Sequence, residues 1–335
     1  MIGYYVHHHG QGHVHRATAI AAALETPVVG LSSLPRPPAW RGPWVELPRD
    51  DDGDTMVDAQ AHGQLHWVPE HHGGLRARMA EVSAWIANVE PQLMVVDVSV
   101  EVSLLARLHG VPVVTVVLPG DRCDPAHQLV HSVARRLLAV WPPEARRLLR
   151  GVDEESDRLV RVGGMSRFDG RPIVLAAGRP SRRRVVVLAG AGGTDVTAEH
   201  LDRAMEQTTS WEWTVLGGPG AWVDDPWDLL CGADVVVSHA GQNAIAEIAA
   251  ARRPAVVIPQ PRPFGEQDVM AAGLAEGHWP VVVRGGFPAT GWEELLDSAA
   301  GLDGLQWQGW NDGGGAARAA ALIEAEARAT MPESR

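Results

Sequence analysis

The sequence predicts an α/β protein of two domains, each built around a parallel sheet. Three observations predict it. Short β-branched runs alternate with longer Ala- and Leu-rich stretches of helical spacing, the rhythm of βαβ units. A chain of 335 residues is long enough for two cores. The alternation also restarts at Arg184, after a Gly-, Arg- and Pro-rich stretch that reads as a linker. The expected division is 1–159, a linker at 160–183, a second domain at 184–312, and a C-terminal helix and tail at 313–335.

In the first domain the patterns predict strands at Ile2–Val6, Pro27–Leu31, Leu93–Asp97 and Val111–Leu118. Helices are expected at Val14–Leu24, Leu75–Asn88, Val100–His109 and Gln128–Leu138. Residues 35–74 are rich in Pro, Gly, Asp and His and read as irregular. Their run Asp50-Asp51-Asp52-Gly53-Asp54 is expected to be a solvated loop. In the second domain, Val185–Ala189, Trp213–Leu216, Ala233–Ser238 and Ala255–Ile258 are expected strands. Ala198–Thr208, the stretch after His239, and Gly313–Arg328 are expected helices.

Composition excludes several functions. A formal net charge of −12 disfavours nucleic acid and anionic membrane surfaces, which select basic partners. All 29 basic residues are arginine, so lysine chemistry is absent: no P-loop lysine, no Schiff base, no pyridoxal anchor. Cys123 and Cys231 lie far apart and suggest neither disulfide nor zinc framework. The N-terminus lacks a basic region and a long apolar core, and no apolar run is long enough to span a bilayer. The expectation is a soluble, cytoplasmic protein with no transmembrane segment.

The chemistry concentrates at strand ends. After the buried run ending at Ser238 come His239-Ala240-Gly241-Gln242-Asn243 and, four residues past Asn243, Glu247. Free amides and the helix dipole at such a turn suit a phosphate. Glu247 returns to the same helix face and can accept hydrogen bonds from paired hydroxyls, as on a ribose. Gly190-Ala191-Gly192-Gly193-Thr194 follows another strand and suits a diphosphate, although Gly-rich turns are common for geometric reasons alone. At the N-terminus Gly10-Gln11-Gly12-His13 joins the first strand to the first helix. His15 stands where a dinucleotide fingerprint needs its third glycine. Asp97, at another strand end, either orients His13 as a base–orienter pair or caps the next helix. Glu266-Gln267, after Pro259, could read sugar hydroxyls.

In this order the pieces resemble the GT-B nucleotide-sugar glycosyltransferases. The segment from His239 to Ala244, with Glu247, resembles the donor signature of natural-product UDP-glycosyltransferases. That resemblance implies that His239, Gly241, Gln242 and Asn243 hold the diphosphate and Glu247 the ribose. It places Trp222, with Val223 beside it, against the base, and Glu266 and Gln267 on the donor sugar. Gln242 departs from the Trp of the plant enzymes, so sugar preference does not carry over. Gly10-Gln11-Gly12-His13 resembles the loop bearing the family's catalytic His, with Asp97 its partner and Gly12 near the donor. Gly163-Gly164-Met165-Ser166-Arg167-Phe168-Asp169 resembles the linker motif of the N-acetylglucosaminyltransferase that completes the peptidoglycan lipid intermediate. There Arg167 would lie near the phosphates, and Gly190, Gly192, Gly193 and Thr194 would form the Gly-rich loop.

The resemblance implies two Rossmann-like domains facing across a cleft and an inverting, metal-independent transfer of a sugar from a nucleotide-sugar. UDP is the favoured nucleotide. The acceptor is open, a small molecule or a lipid-linked sugar, and no cofactor is expected. The histidine groups His7, His8, His9, His13 and His15, His62 and His66, and His71 and His72 lack a zinc-ligand pattern, so no metal is expected. The alternatives are a non-hydrolysing sugar-nucleotide epimerase and a non-catalytic nucleotide-sugar-binding protein.

Overall fold

The computed structural model describes residues 1–52, 56–173, 182–190 and 193–329. In its first half β1 (Ile2–Val6), α1 (Gln11–Ala23), β2 (Val28–Ser32), β3 (Trp44–Glu46), α2 (Gly73–Val89), β4 (Leu93–Asp97), α3 (Val100–Leu108) and β5 (Val113–Val117) follow in turn. Then come β6 (Gly120–Asp121), α4 (Pro125–Val133), β7 (Arg136–Ala139), β8 (Leu149–Arg150) and β9 (Leu159–Arg161). The strands β1, β2, β4 and β5 are buried along their whole length. That matches parallel strands covered on both faces, whose sequences are continuous apolar runs.

The second half contains β10 (Arg183–Leu188), α5 (Ala198–Gln207), β11 (Trp211–Leu216), α6 (Trp227–Gly232), β12 (Val235–Ser238), α7 (Gln242–Ala251) and β13 (Ala255–Val257). It ends with α8 (Glu266–Glu276), β14 (Val281–Val283), α9 (Trp292–Ala300) and α10 (Gly315–Arg328).

Sheet order places the site. The first sheet runs β3-β2-β1-β4-β5-β7-β9 and the second β11-β10-β12-β13-β14, all parallel. In each the strand order reverses beside the first strand. The crevices open between β1 and β4 and between β10 and β12, where open α/β sheets bind ligands.

Two expectations are corrected. Gln128–Leu138 is not one helix: α4 ends at Val133, Ala134 is extended (φ −68°, ψ 141°), and β7 follows. The run Leu137-Leu138-Ala139 is buried between β5 and β9, and that pairing overrides its helical composition. Leu159–Arg161, partly inside the stretch read as linker, is likewise a strand of the first sheet. The last helix returns to the first half, where Ala319, Ile323 and Ala327 enter the same core as Ile2, Val14 and Ile20. Glu324 fixes it there by accepting from the Thr26 N–H at 2.7 Å and hydroxyl at 2.6 Å.

Candidate active site

The crevice of the first sheet holds His13 and Asp97. Gly10, at φ +89°, turns the chain from β1 into α1, a conformation that costs glycine little. His13 Nδ1 lies 2.7 Å from Asp97 Oδ1. Asp97 does not cap the following helix; the Ser99 hydroxyl does, accepting from Val102 N–H at 3.2 Å. Between them Val98 adopts φ +62°, a strained setting for a β-branched residue and one that clusters at functional sites.

Arg16, not expected from the sequence, completes the group. Its Nε donates to Asp97 Oδ2 at 2.8 Å and its Nη2 to Oδ1 at 2.6 Å. Burial pushes the fully buried Asp97 carboxyl up, but Arg16 and then His13 outweigh it and hold it well below the usual carboxylate range. An ionised carboxylate only accepts, so His13 carries its proton on Nδ1. The 3.0 Å between that nitrogen and Arg16 Nη2 is the spacing of two donors sharing one oxygen. His13 Nε2 is thereby left as the basic atom. The sequence signal for Arg16 was its spacing: three residues after His13, on the same helix face.

The crevice of the second sheet holds His239 and the start of α7. His239 Nδ1 accepts from Gly241 N–H at 2.9 Å, so Nε2 carries the proton. Burial, and secondarily Arg262, lowers its pKa to about 4, leaving a neutral N–H donor. A Cβ on Gly190 would sit 2.5 Å from that Nε2. This close packing explains the glycine. No side chain caps α7, so the amides of its first turn are available to an anion.

The two crevices share one cleft of about 710 Å³, lined among others by Gly12, His13, Arg167, Gly190, Gly193, Trp222, Val223, His239, Gly241, Asn243, Glu247 and Glu266. Gly12 packs so tightly on Asn243 that a Cβ there would overlap the Asn243 amide. Trp222, 63% exposed, offers an open indole face. Val223 packs half-buried against a core cluster to which both halves contribute, among them Trp141 and Ile245.

Several expected contacts are redistributed. Arg167 Nε donates to Glu247 Oε1 at 2.8 Å, and its Nη1 to the Asp224 carbonyl at 2.8 Å. The cation expected near the phosphates is therefore neutralised by the carboxylate expected on the ribose. Burial raises the Glu247 carboxyl, and Arg167 opposes that. Gln242 lines the cleft, yet its Oε1 accepts from Arg16 Nη1 at 3.3 Å and its Nε2 donates to the Val140 carbonyl at 3.1 Å. Both ends of Gln242 therefore serve the first domain.

Gln267 is buried. Its Oε1 accepts from Gln260 N–H at 2.9 Å, and its Nε2 lies 3.3 Å from His239 Nδ1. It braces the histidine, while the neighbouring Glu266 is partly exposed to the cleft, 3.8 Å from Arg122. The Thr194 hydroxyl accepts from Gln260 Nε2 at 2.7 Å and from Val196 N–H. Thr194 thus supports the loop from behind, while the Gly193 carbonyl is held by Arg262. Gly192 lies outside the described residues.

The histidine clusters and the acidic run differ from expectation. Asp50 is buried and bonded to the fully buried Arg78 at 2.6 Å, so the described part of the run is only partly solvated; Gly53 and Asp54 lie outside the described residues. His8, His9 and Asp51 come together, as do His66, Asp124 and His127. In the first group Arg49 donates to both Asp51 oxygens and Arg78 lies against His8 Nδ1 at 3.2 Å. Those cations offset the negative charge a metal ion would need.

Comparison with known proteins bears on this geometry. Residues 224–282 match the glycosyltransferase family 28 C-terminal domain. The UDP-N-acetylglucosamine–N-acetylmuramyl-(pentapeptide) pyrophosphoryl-undecaprenol N-acetylglucosamine transferase of Clavibacter sepedonicus is 30% identical over 189 residues, 53% of this chain and 48% of that protein. Its namesake from Sorangium cellulosum is 29% identical over 185 residues, 48% and 44% of the two chains. The chain thus spans about half the length of the curated relatives it matches.

Among solved structures, the calicheamicin glycosyltransferase CalG4 superposes with TM-score 0.68 at 17% identity, covering 99% of both chains. The kitacinnamycin glycotransferase gives TM-score 0.70 at 17% identity, covering 97% of this chain and 98% of that one. Acinetobacter baumannii MurG gives 0.62 at 15% identity, covering 97% and 99%. At such identities the likeness is one of fold. The fold is GT-B, and within the second domain residues 224–282 are similar to the family 28 C-terminal domain.

Proposed function

We propose that this GT-B chain, a relative of the family 28 glycosyltransferases, is an inverting glycosyltransferase that moves a sugar from a UDP-sugar to a hydroxyl acceptor without a metal ion. The observation that carries the reading is the opposition of two crevices in one cleft. A histidine held by an ionised carboxylate, His13–Asp97, stands on one side. An uncapped helix N-terminus with a neutral N–H donor, His239, stands on the other.

In this reading the diphosphate lies on the first amides of α7 and on His239 Nε2–H, Glu247 accepts from the ribose, and Trp222 stacks on the base. His13 Nε2 takes the acceptor proton as the oxygen attacks the anomeric carbon from the face opposite the diphosphate. Asp97 stabilises the imidazolium that forms. Charge developing on the departing diphosphate meets preorganised amides and the His239 donor. The relatives whose name includes UDP-N-acetylglucosamine support a uridine nucleotide. No helix among the described residues is long and apolar enough to cross a membrane.

A thermal-shift series with UDP, TDP, GDP and NAD tests the donor. Ligand at 100 times its Kd adds about 2.7 kcal/mol, so the UDP midpoint should rise while NAD leaves it unchanged. A rise with NAD and none with any nucleoside diphosphate would contradict the reading. Incubation with UDP-N-acetylglucosamine should then release UDP and free sugar slowly, water replacing the acceptor. Interconversion of the sugar without release of UDP would identify an epimerase instead.

A further inference from the structure

We propose that Arg16 is a positioning residue that links the seating of α7 to the geometry of the His13–Asp97 pair, with Gln242 as the contact between domains. Asp97 is fully buried and Arg16 is 6% exposed. Arg16 spends Nε and Nη2 on the two Asp97 oxygens. Its Nη1 reaches Gln242 Oε1 on the opposite domain. Gln242 is the first residue of α7, the helix whose amides face the cleft, and its own Nε2 is anchored to Val140 on the first domain.

A continuous chain of bonds therefore runs from the start of α7 through Gln242 and Arg16 to Asp97 and His13. The tight packing of Gly12 on Asn243 shows independently that the first turns of α1 and α7 are in contact. If α7 withdraws, Nη1 loses its acceptor inside a buried site, which carries a desolvation penalty. A guanidinium that turns on Asp97 to recover a partner carries with it the oxygen it shares with His13. By linkage, a ligand that fixes α7 fixes the pair, and the pair in turn favours a seated α7 by the same factor, one small enough to leave most of the donor affinity to the second domain's own contacts. Such a contact would restrict efficient proton abstraction to a cleft closed on the donor.

The test uses the full chain with labelled histidine and reads the His13 ring resonances, assigned by their loss in His13→Asn. Gln242→Leu removes the oxygen facing Arg16 and the amide that donates to Val140, whereas Gln242→Glu loses the amide but keeps an oxygen facing Arg16, so the pair of variants isolates the Arg16 contact. Without nucleotide, Gln242→Leu should move the His13 resonances and Gln242→Glu should leave them near their wild-type positions. Resonances unmoved in a Gln242→Leu protein with wild-type circular dichroism would overturn the linkage. This arm is independent of the proposed activity.

The second arm rests on that activity. UDP, held by the second domain, should shift the His13 resonances of the wild type but not those of Gln242→Leu. Hydrolysis of UDP-N-acetylglucosamine by Gln242→Leu should fall about 10- to 100-fold, the scale of a small misplacement, with UDP affinity largely kept and the rate restored in Gln242→Glu. UDP binding that leaves wild-type His13 unmoved would overturn the proposal. So would lost UDP affinity in Gln242→Leu with unmoved apo resonances, which would make Gln242 a donor contact. A wild type that binds no nucleotide would refute the function, while the first arm would still decide the linkage.

Discussion

Arg167 and Glu247 hold each other: the guanidinium Nε donates to Oε1 at 2.8 Å. The segment after β9 and α7 are thereby joined inside the cleft that Trp222 also lines. Burial pushes the Glu247 carboxyl up and the pairing opposes that push without reversing it; the ionised form that Arg167 favours is the better acceptor for two hydroxyls.

Two substitutions separate these roles. Glu247→Ala should weaken UDP binding at least about tenfold, since a charge-assisted bond contributes roughly 1.5–3 kcal/mol. Arg167→Ala leaves Glu247 without its cation, so UDP affinity should fall more steeply than in the wild type as pH drops from 7.5 to 5.5. Calorimetric titration with UDP measures both. Equal affinity in wild type and Glu247→Ala would remove Glu247 from the ribose.

The proposed metal independence rests on how two carboxylates of the cleft are used. Asp97 is bonded to Arg16 and Glu247 to Arg167. Each already faces a fixed cation. UDP release from UDP-N-acetylglucosamine should continue at its ordinary rate in excess EDTA. Activity that vanishes with EDTA and returns with Mg²⁺ or Mn²⁺ would contradict the metal-free mechanism.

Stability should depend on pH through buried histidines. Burial is the largest cause lowering His127, His131 and His239, each to about 4, against an ordinary value near 6.5. Their folded values lie below their unfolded ones. The stability they contribute is complete above about pH 6.5. It is lost progressively as pH falls towards about 4, because the unfolded chain then binds protons the folded chain refuses. Urea unfolding at pH 7.5, 6 and 5 should show a falling midpoint. His131→Leu should flatten the fall by about one proton's share, up to ~1.4 kcal/mol per pH unit. A slope unchanged in His131→Leu would mean that this histidine is not held neutral.

Much of the fold was legible because its strands are buried on both faces. Leu93-Met94-Val95-Val96 and Val235-Val236-Val237 need no context to be read. His13, Asp97, His239 and Glu247 were legible because they stand at strand ends or one helical turn beyond. The strand at Arg136–Ala139 was not, since its burial comes from β5 and β9 on either side. The bond between Arg16 and Gln242 spans 226 positions, and that between Arg167 and Glu247 spans 80. Local pattern carries no trace of such partners. Gln267 shows the same limit: its place in the sequence suggested a sugar contact, but tertiary packing turns it towards His239 and Gln260.

The central claim is that His13 is the base and acts apart from donor binding. The direct measurement is the single-turnover rate of UDP release from UDP-N-acetylglucosamine, taken beside UDP affinity, for wild type, His13→Ala and Asp97→Asn. His13→Ala should lose about 10²- to 10⁴-fold in rate, the usual worth of a general base, while binding UDP almost as tightly as the wild type. Asp97→Asn should lower the rate and spare binding. A wild-type rate in His13→Ala, or parallel loss of UDP binding in both variants, would contradict the account.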